Sequence, residues 1–377
     1  MDRGRLLSKA RLVVVKVGTS SITERLALSR EKIGAVARQV AALRAEGRDV
    51  ILVSSGAIAA GLSRLALKER PREMGMLQAC AAVGQGELMG AYSEAFAGYG
   101  IPVAQILLTR EDLQSRGRYL RIRHVLETLI KAGVVPIVNE NDTVAVDEIK
   151  FGDNDTLSAL VASNAGADLL VLMSSMDGLF TDDPARSPAA VKIGVVDRIS
   201  EEISGLSGKS RLGGVGGISA KVRAGRIMME CGIPMAIVDS KMPGVLSRLL
   251  AGEPVGTVFV PKMRIDNKLQ WMLFSSAARG VVFIDDGAAK ALSSGKASLL
   301  PSGVLSVKGI FRRGDLVSIM SGSSEVGRGV SNLSSDELES VAGLQTVQAR
   351  RVLGEAAPKE VVQHDNLVLS GGMDAGI

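Results

Sequence analysis

LVVVKVGTS, residues 12–20, is the stretch from which the architecture is read. Leu12-Val13-Val14-Val15 is an unbroken aliphatic run, apolar on both faces of a pleat, as expected of a strand buried inside a parallel sheet. Lys16-Val17-Gly18-Thr19-Ser20 follows at once, with a lysine, a glycine and two hydroxyls after the strand. Open α/β sheets gather ligands at the carboxyl ends of their strands, so this loop is the first candidate site. Gly18 lets the backbone approach a phosphate closely, and Lys16 with the hydroxyls can contact its oxygens. A solvated strand-end lysine beside an ordinary turn is the plainer alternative.

The same alternation continues outward. Ile33, Val36, Ala37, Val40 and Leu43 fall on one face of a helix. Strands are expected at 50–53, 103–108, 134–138, 169–173 and 235–238, with helices over 74–96, 119–132 and 218–231. Apolar strands alternating with helices mean a mostly parallel sheet covered on both faces. After Pro261-Lys262 the pattern changes to short strand candidates at 280–284, 305–307, 316–319 and 367–369, with one helix near 286–293. That is a small β-rich barrel or sandwich of roughly ninety residues. The expected division is 1–262, a linker over 263–278, a second domain over 279–369 and a flexible tail over 370–377.

Composition narrows the class. A chain of 377 residues is too long for one ordinary core. With 46% hydrophobic and 23% charged residues it is a globular sequence, not a disordered one. Aromatics are only 3%, with Trp271 the single tryptophan, which argues against a platform for stacking bases. Cys80 and Cys231, with only His124 and His364, offer no metal-ligand spacing and read as buried small hydrophobes in a reducing compartment. The apolar run near the N-terminus is too short for a signal peptide, and no stretch is long enough to span a bilayer, so a cytoplasmic location without membrane contact is expected. From Met263 onward acidic and basic residues balance, so the whole surplus of +5 lies before it, where it suits an anionic substrate.

Three further loops carry chemistry. Ser54-Ser55-Gly56-Ala57-Ile58 enters a helix whose free amides suit an anion, or it is an ordinary serine cap. Asn139-Glu140-Asn141-Asp142 and Phe151-Gly152-Asp153-Asn154-Asp155 set two acidic and amide clusters close together. They can hold an amino group, meet Mg²⁺ through water or orient lysines; a polar Asx-turn loop with a helix cap at Asp155 or Thr156 is the alternative. Gly213-Gly214-Val215-Gly216-Gly217-Ile218-Ser219-Ala220-Lys221 is a glycine-rich entry to a helix, fit to wrap a phosphate with Lys221 reaching its oxygens, or else a flexible linker. No GxxxxGK[ST] occurs, since Ile203 stands where Gly208-Lys209-Ser210 would need its first glycine, and Ser219 breaks GxGxxG.

In this order and spacing the loops resemble the amino acid kinase family, in particular a branch that carries a C-terminal PUA domain. The residues that carry the resemblance are VVVKVGTSSIT (13–23), VSSGAIAAG (53–61), QACAAVGQ (78–85), LLTREDL (107–113), VPIVNENDTVAVDEIKFGDNDTLSAL (135–160), MDGLFTDDP (176–184) and GVGGISAK (214–221). LLPSGVLSVKGIFRRGDLVSI (299–319) and GRGVSNLSSDEL (327–338) carry it in the second domain. The resemblance implies a three-layer α/β/α sandwich with a mostly parallel sheet, followed by the small PUA domain. It implies transfer of the γ-phosphate of ATP, with Mg²⁺, to the γ-carboxylate of L-glutamate, the first step of proline synthesis. Carried over by position, Ser55, Asp142 and Asn154 bind glutamate, with Asn139 nearby. Lys16 and Lys221 stabilise the transferring phosphoryl group, and Asp155 orients them. Lys16, Gly18, Ser174, Ser175 and Val215, Gly216, Gly217, Ile218, Ser219, Ala220 and Lys221 line the nucleotide site. L-proline as a feedback inhibitor, a homo-oligomer (dimer or tetramer) and hand-over to glutamate-5-semialdehyde dehydrogenase follow from the same resemblance.

Two departures fall on the nucleotide side. Ser174-Ser175 stands where the family has Thr-Asp, and Val215 and Ile218 replace the threonine and methionine of GTGGM. Rival readings are another amino acid kinase, acting on N-acetylglutamate, aspartate or a nucleoside monophosphate, and an RNA-binding protein working through the PUA domain. Arg312-Arg313 and Arg350-Arg351 are the candidate basic patch for RNA, in a domain that is otherwise neutral.

Overall fold

Val13 to Val17 are buried in an unbroken row, which requires cover on both faces and a neighbour on each side. The computed structural model, which describes residues 3–25, 27–145, 154–184, 187–209, 217–261, 278–294 and 297–369, supplies both. Strand β1 (Leu12–Val17) lies between β2 (Asp49–Ser54) and β5 (Leu169–Ser174), parallel to each. β3 (Val103–Leu108), β4 (Val135–Glu140), β6 (Val195–Val196), β7 (Met235–Asp239) and β8 (Thr257–Phe259) complete an eight-stranded sheet in the order β6-β8-β7-β5-β1-β2-β4-β3. Only β7 and β8 run antiparallel. Burial follows position: all six residues of inner β4 are buried, whereas edge strand β3 exposes Gln105 and Leu107.

The chain fills one side of β1 with β2, β4 and β3 before crossing to the other side at β5. The carboxyl end of β1 is therefore the point where loops on either side diverge and leave a crevice.

One face of the sheet is covered by α1 (Arg30–Ala45) and α3 (Met74–Ala97). Between them α2 (Ala57–Arg64) follows β2. Ile33, Val40 and Leu43 of α1 join Leu88, Tyr92 and Phe96 of α3 over Val13, Val15 and Leu52 of the sheet. α4 (Arg116–Lys131) links β3 and β4, and α7 (Val245–Leu250), after β7, packs against α1. On the other face α5 (Asn154–Ala165) packs against β1 and against α6 (Ile218–Glu230). Every residue of α5 is buried, so the helix shows no polar stripe and no amphipathic signal. Two of its polar side chains bond to backbone carbonyls: Ser158 Oγ donates to that of Asp155 at 2.6 Å, and Asn164 Nδ2 to that of Tyr119 on α4 at 2.9 Å.

Contacts divide the chain into two units, Met1–Leu113 with Gly117–Ile265, and Gln114–Arg116 with Asp266–Ile377. The second holds a five-stranded sheet of β9 (Gly280–Ile284), β10 (Val304–Lys308), β11 (Leu316–Ser321), β12 (Ser324–Val330) and β13 (Leu367–Leu369), in the order β10-β9-β11-β12-β13. Three helices, α8 (Asp286–Ser293), α9 (Ser335–Val341) and α10 (Thr346–Leu353), close its core around Val282, Leu292, Val317, Leu338 and Ala349. The sequence pattern predicted β9, β10, β11, β13 and α8 but not β12, α9 or α10. Glycines interrupt β12 for want of space: a Cβ on Gly327 would stand 2.3 Å from the Val368 carbonyl oxygen. The expected linker and tail fall almost wholly outside the described residues. Cys80 and Cys231 are both buried and form no disulfide. No helix among the described residues is long and apolar enough to cross a membrane.

Candidate active site

Three charges meet at the carboxyl end of β1. Lys16, the penultimate residue of that strand, puts Nζ 2.5 Å from Asp155 Oδ1. Lys221, one turn into α6, puts Nζ 2.9 Å from Asp155 Oδ2. Asp155 sits in the first turn of α5 and is fully buried, while the two lysines keep a little exposure, 8% for Lys16 and 14% for Lys221. Burial alone would neutralise such a carboxyl. Here the Lys16 and Lys221 ammoniums outweigh it and hold Asp155 below the usual carboxylate range. The trio carries two positive charges against one negative, so it presents a net cation to the crevice.

Gly18 lies over the Lys16 ammonium, where a Cβ would stand 3.8 Å from Nζ and from the Met173 carbonyl oxygen. Ser174 ends β5, with its carbonyl accepting from Ser240 N–H at 2.8 Å, and Ser175 is exposed. Gly217 caps α6 in extended backbone, followed by Ile218, Ser219 and Ala220, so the first amides of α6 open beside Lys221. Val215 and Gly216 lie outside the described residues.

A second, uncharged cluster adjoins the trio through the neighbouring residue Asn154. Its Nδ2 donates to Ser55 Oγ at 2.9 Å, to the Ser54 carbonyl at 3.1 Å and to Asn139 Oδ1 at 3.2 Å. The ends of β2 and β4 are thereby tied to the start of α5. Gly56, between Ser55 and α2, takes φ +104°, a conformation that favours glycine and turns the chain into the helix. Asp142 follows β4 directly and is half-buried. Its desolvation pushes the carboxyl up to about 6 despite the opposing charge of Arg70. The structure thus brings Lys16, Asp155 and Lys221 into one cluster and Ser55, Asn139 and Asn154 into the next.

Two participants went unnoticed in the sequence. Gln85, on α3, accepts at Oε1 from Asn139 Nδ2 at 2.9 Å. Tyr92, about two turns further along α3, is 2.9 Å from Ser54 Oγ, and burial pushes its phenol up to about 12. QACAAVGQ contains Gln85, but nothing in a helical run shows that one polar member turns inward.

Chemically, the arrangement offers two fixed cations and no general base, since both oxygens of the ionised Asp155 are engaged by ammoniums. Among the described residues no group of three or more His, Cys, Asp or Glu converges as metal ligands. Such a site can gather and neutralise anions.

A crevice of this kind at the switch point of an α/β/α sheet suits a phosphotransferase. Residues 11–239 match the model of the amino acid kinase family and residues 280–353 that of the PUA domain. The chain belongs to the amino acid kinase family and is a kinase. Its relatives make the comparison more particular. The glutamate 5-kinase of Thermus thermophilus is 45% identical over 361 residues, covering 96% of this chain and 97% of the relative. That of Dictyoglomus thermophilum is 48% identical over 361 residues, covering 95% and 97%. A solved carbamate kinase from Giardia lamblia bound to AMP-PNP shares the fold, with a TM-score of 0.50 at 18% identity, over 68% of this chain and 100% of that one.

Proposed function

We propose that this chain is a glutamate 5-kinase, which transfers the γ-phosphoryl group of ATP to the γ-carboxylate of L-glutamate and releases L-glutamyl 5-phosphate and ADP. The observation that carries the reading is the Lys16–Asp155–Lys221 trio beside the Ser55–Asn154–Asn139 cluster, in a chain similar to glutamate 5-kinases over nearly its whole length.

A carboxylate is already nucleophilic, so the absence of a base from the trio is no obstacle. The difficulty lies in bringing two anions into line. In this mechanism Ser55 and Asn154 hold the acceptor by hydrogen bonds, and Asp142 in its ionised form meets the α-ammonium. Lys16 and Lys221 neutralise the transferring group as charge spreads over its oxygens. Asp155 keeps the two like-charged ammoniums together. The first amides of α6, with Gly18, Ser174 and Ser175, receive the nucleotide. Mg²⁺ would arrive on the nucleotide, held by phosphate oxygens and water, where it supplies further charge neutralisation. Asp155, with both oxygens taken, is not its ligand.

The proposal extends, on family resemblance, to the first step of proline synthesis, to competition by L-proline at the acceptor site and to a homo-oligomer. It extends likewise to delivery of the labile acyl phosphate to glutamate-5-semialdehyde dehydrogenase. Catalysis is assigned to residues 1–262. ADP release with ATP, Mg²⁺ and L-glutamate, with hydroxylamine trapping the product as a hydroxamate, tests the reading. Glutamate-dependent hydroxamate that falls on adding proline supports it. Turnover with another carboxylate alone would move the substrate and overturn the assignment.

A further inference from the structure

Gln85 touches none of the groups assigned to the acceptor, yet it lies at the far end of the hydrogen-bond chain that ends on Ser55. The direction of that chain is read from two backbone groups that have no choice of role. The Glu140 N–H can only donate, and it meets Asn139 Oδ1 at 2.9 Å, so the oxygen of that amide faces β4. The Asn139 amino group must then face Gln85, whose Oε1 receives it at 2.9 Å. The Ser54 carbonyl can only accept, so Asn154 turns its amino group toward it, at 3.1 Å. That same Nδ2 reaches Asn139 Oδ1 at 3.2 Å and Ser55 Oγ at 2.9 Å. The Ser55 oxygen is thereby an acceptor toward Asn154, and its own hydrogen is left for a group in the crevice.

We propose that Gln85 is a positioning residue for the carboxylate acceptor: by accepting from Asn139 it locks the amide relay Gln85–Asn139–Asn154 in the sense that leaves the Ser55 hydroxyl as a donor. The inference rests on the acceptor reading of Ser55 and Asn154 and adds how their polarity is set. A hydroxyl presented as a donor suits a carboxylate or carbonyl oxygen; one presented as an acceptor would suit an ammonium instead. Gln85 is only 8% exposed, and among the described residues its Nε2 has no hydrogen-bond partner. Oε1 therefore does the fixing, and an oxygen in place of Nε2 loses no bond.

That asymmetry supplies the test. Gln85→Met keeps the length and the helix but removes the acceptor. Gln85→Glu keeps an oxygen toward Asn139 whether the carboxyl is ionised or neutral. With the full-length protein labelled with ¹⁵N-asparagine, Gln85→Met is expected to shift the Asn154 side-chain amide signals, assigned through Asn154→Ser. Gln85→Glu is expected to return them toward the wild-type position. In kinetics, Gln85→Met raises the KM of the carboxylate acceptor roughly tenfold, the scale of one hydrogen bond, with the KM of ATP unchanged, and Gln85→Glu recovers most of it. Asn154 signals that stay in place in a folded Gln85→Met variant overturn the relay, whatever the substrate proves to be. An acceptor KM that does not move, or that Gln85→Glu fails to restore, overturns its role in binding. Wild-type protein that ignores glutamate but phosphorylates another carboxylate overturns only the substrate reading, because the amide signals and the KM for that carboxylate still test the relay.

Discussion

At the residue scale the site separates charge from recognition. Lys221 acts on the phosphoryl group, so Lys221→Ala is expected to cut kcat by about 10²- to 10³-fold, the range for losing one preorganised electrostatic group, while the acceptor KM changes little. Turnover within a few-fold of wild type would remove Lys221 from the chemistry. Asp142 behaves differently because desolvation raises its carboxyl to about 6. Above that pH it is ionised and can meet an ammonium; below it the group is neutral. The glutamate KM should therefore rise as pH falls through about 6, by up to roughly tenfold per pH unit, and Asp142→Asn should abolish the inflection while keeping KM high. A flat KM profile between pH 5 and 8 in the wild type would contradict the assignment. The residues of both clusters were legible as candidates because they fall at strand ends and at polar or glycine-rich entries to helices. Gln85 was not, because an isolated polar residue in an alanine- and glycine-rich helix carries no pattern.

At the element scale the acceptor end depends on how closely α2 and α3 approach. A Cβ on Gly61 would stand 1.8 Å from the Cys80 carbonyl oxygen, and one on Gly84 the same distance from that of Ala57. Neither atom is the end of a flexible side chain, so the helices must part. Gly84→Ala is expected to destabilise the protein by about 1–3 kcal/mol, measured by urea unfolding, and to raise the acceptor KM, since Gln85 is its neighbour. Gly90, on the exposed side of the same helix, has nothing within 4 Å of its added Cβ. Gly90→Ala should stabilise by about 0.5–1 kcal/mol. Equal effects at the two positions would contradict close packing as the reason for Gly84. Most sheet strands and α1, α3 and α6 were readable because each keeps a period or an unbroken apolar run. Of α5 only the start was readable, as a cap at Asp155 or Thr156, because the helix is buried all round; α9 and α10 escaped because they are short and their apolar residues few.

At the scale of the whole molecule, two units with separate cores do not melt as one two-state body. The candidate site residues lie in the first unit. Calorimetry of the full chain is expected to resolve two transitions, and a nucleotide with glutamate at about 100 times their Kd should stabilise the first by about 2.7 kcal/mol for each independent ligand while leaving the second in place. A shift confined to the second transition would move the site out of the first unit. In the second unit, Arg313 of the Arg312-Arg313 pair forms ion pairs with Glu337 at 2.8 Å and 2.5 Å, so half of that pair is already engaged.

By itself the sequence determined most strands of the first sheet and its amphipathic helices, the change of character after Pro261 and the loops that hold the chemistry, because hydrophobic period and turn residues are local properties. Only the tertiary structure decided that Lys16 and Lys221, from the first strand and a late helix, share one carboxylate. The inward turn of Gln85 and the polarity of the amide chain that leaves the Ser55 hydrogen available were decided there too. Those facts depend on which distant groups meet through space and which backbone donors and acceptors they meet, and no local pattern along the chain records that.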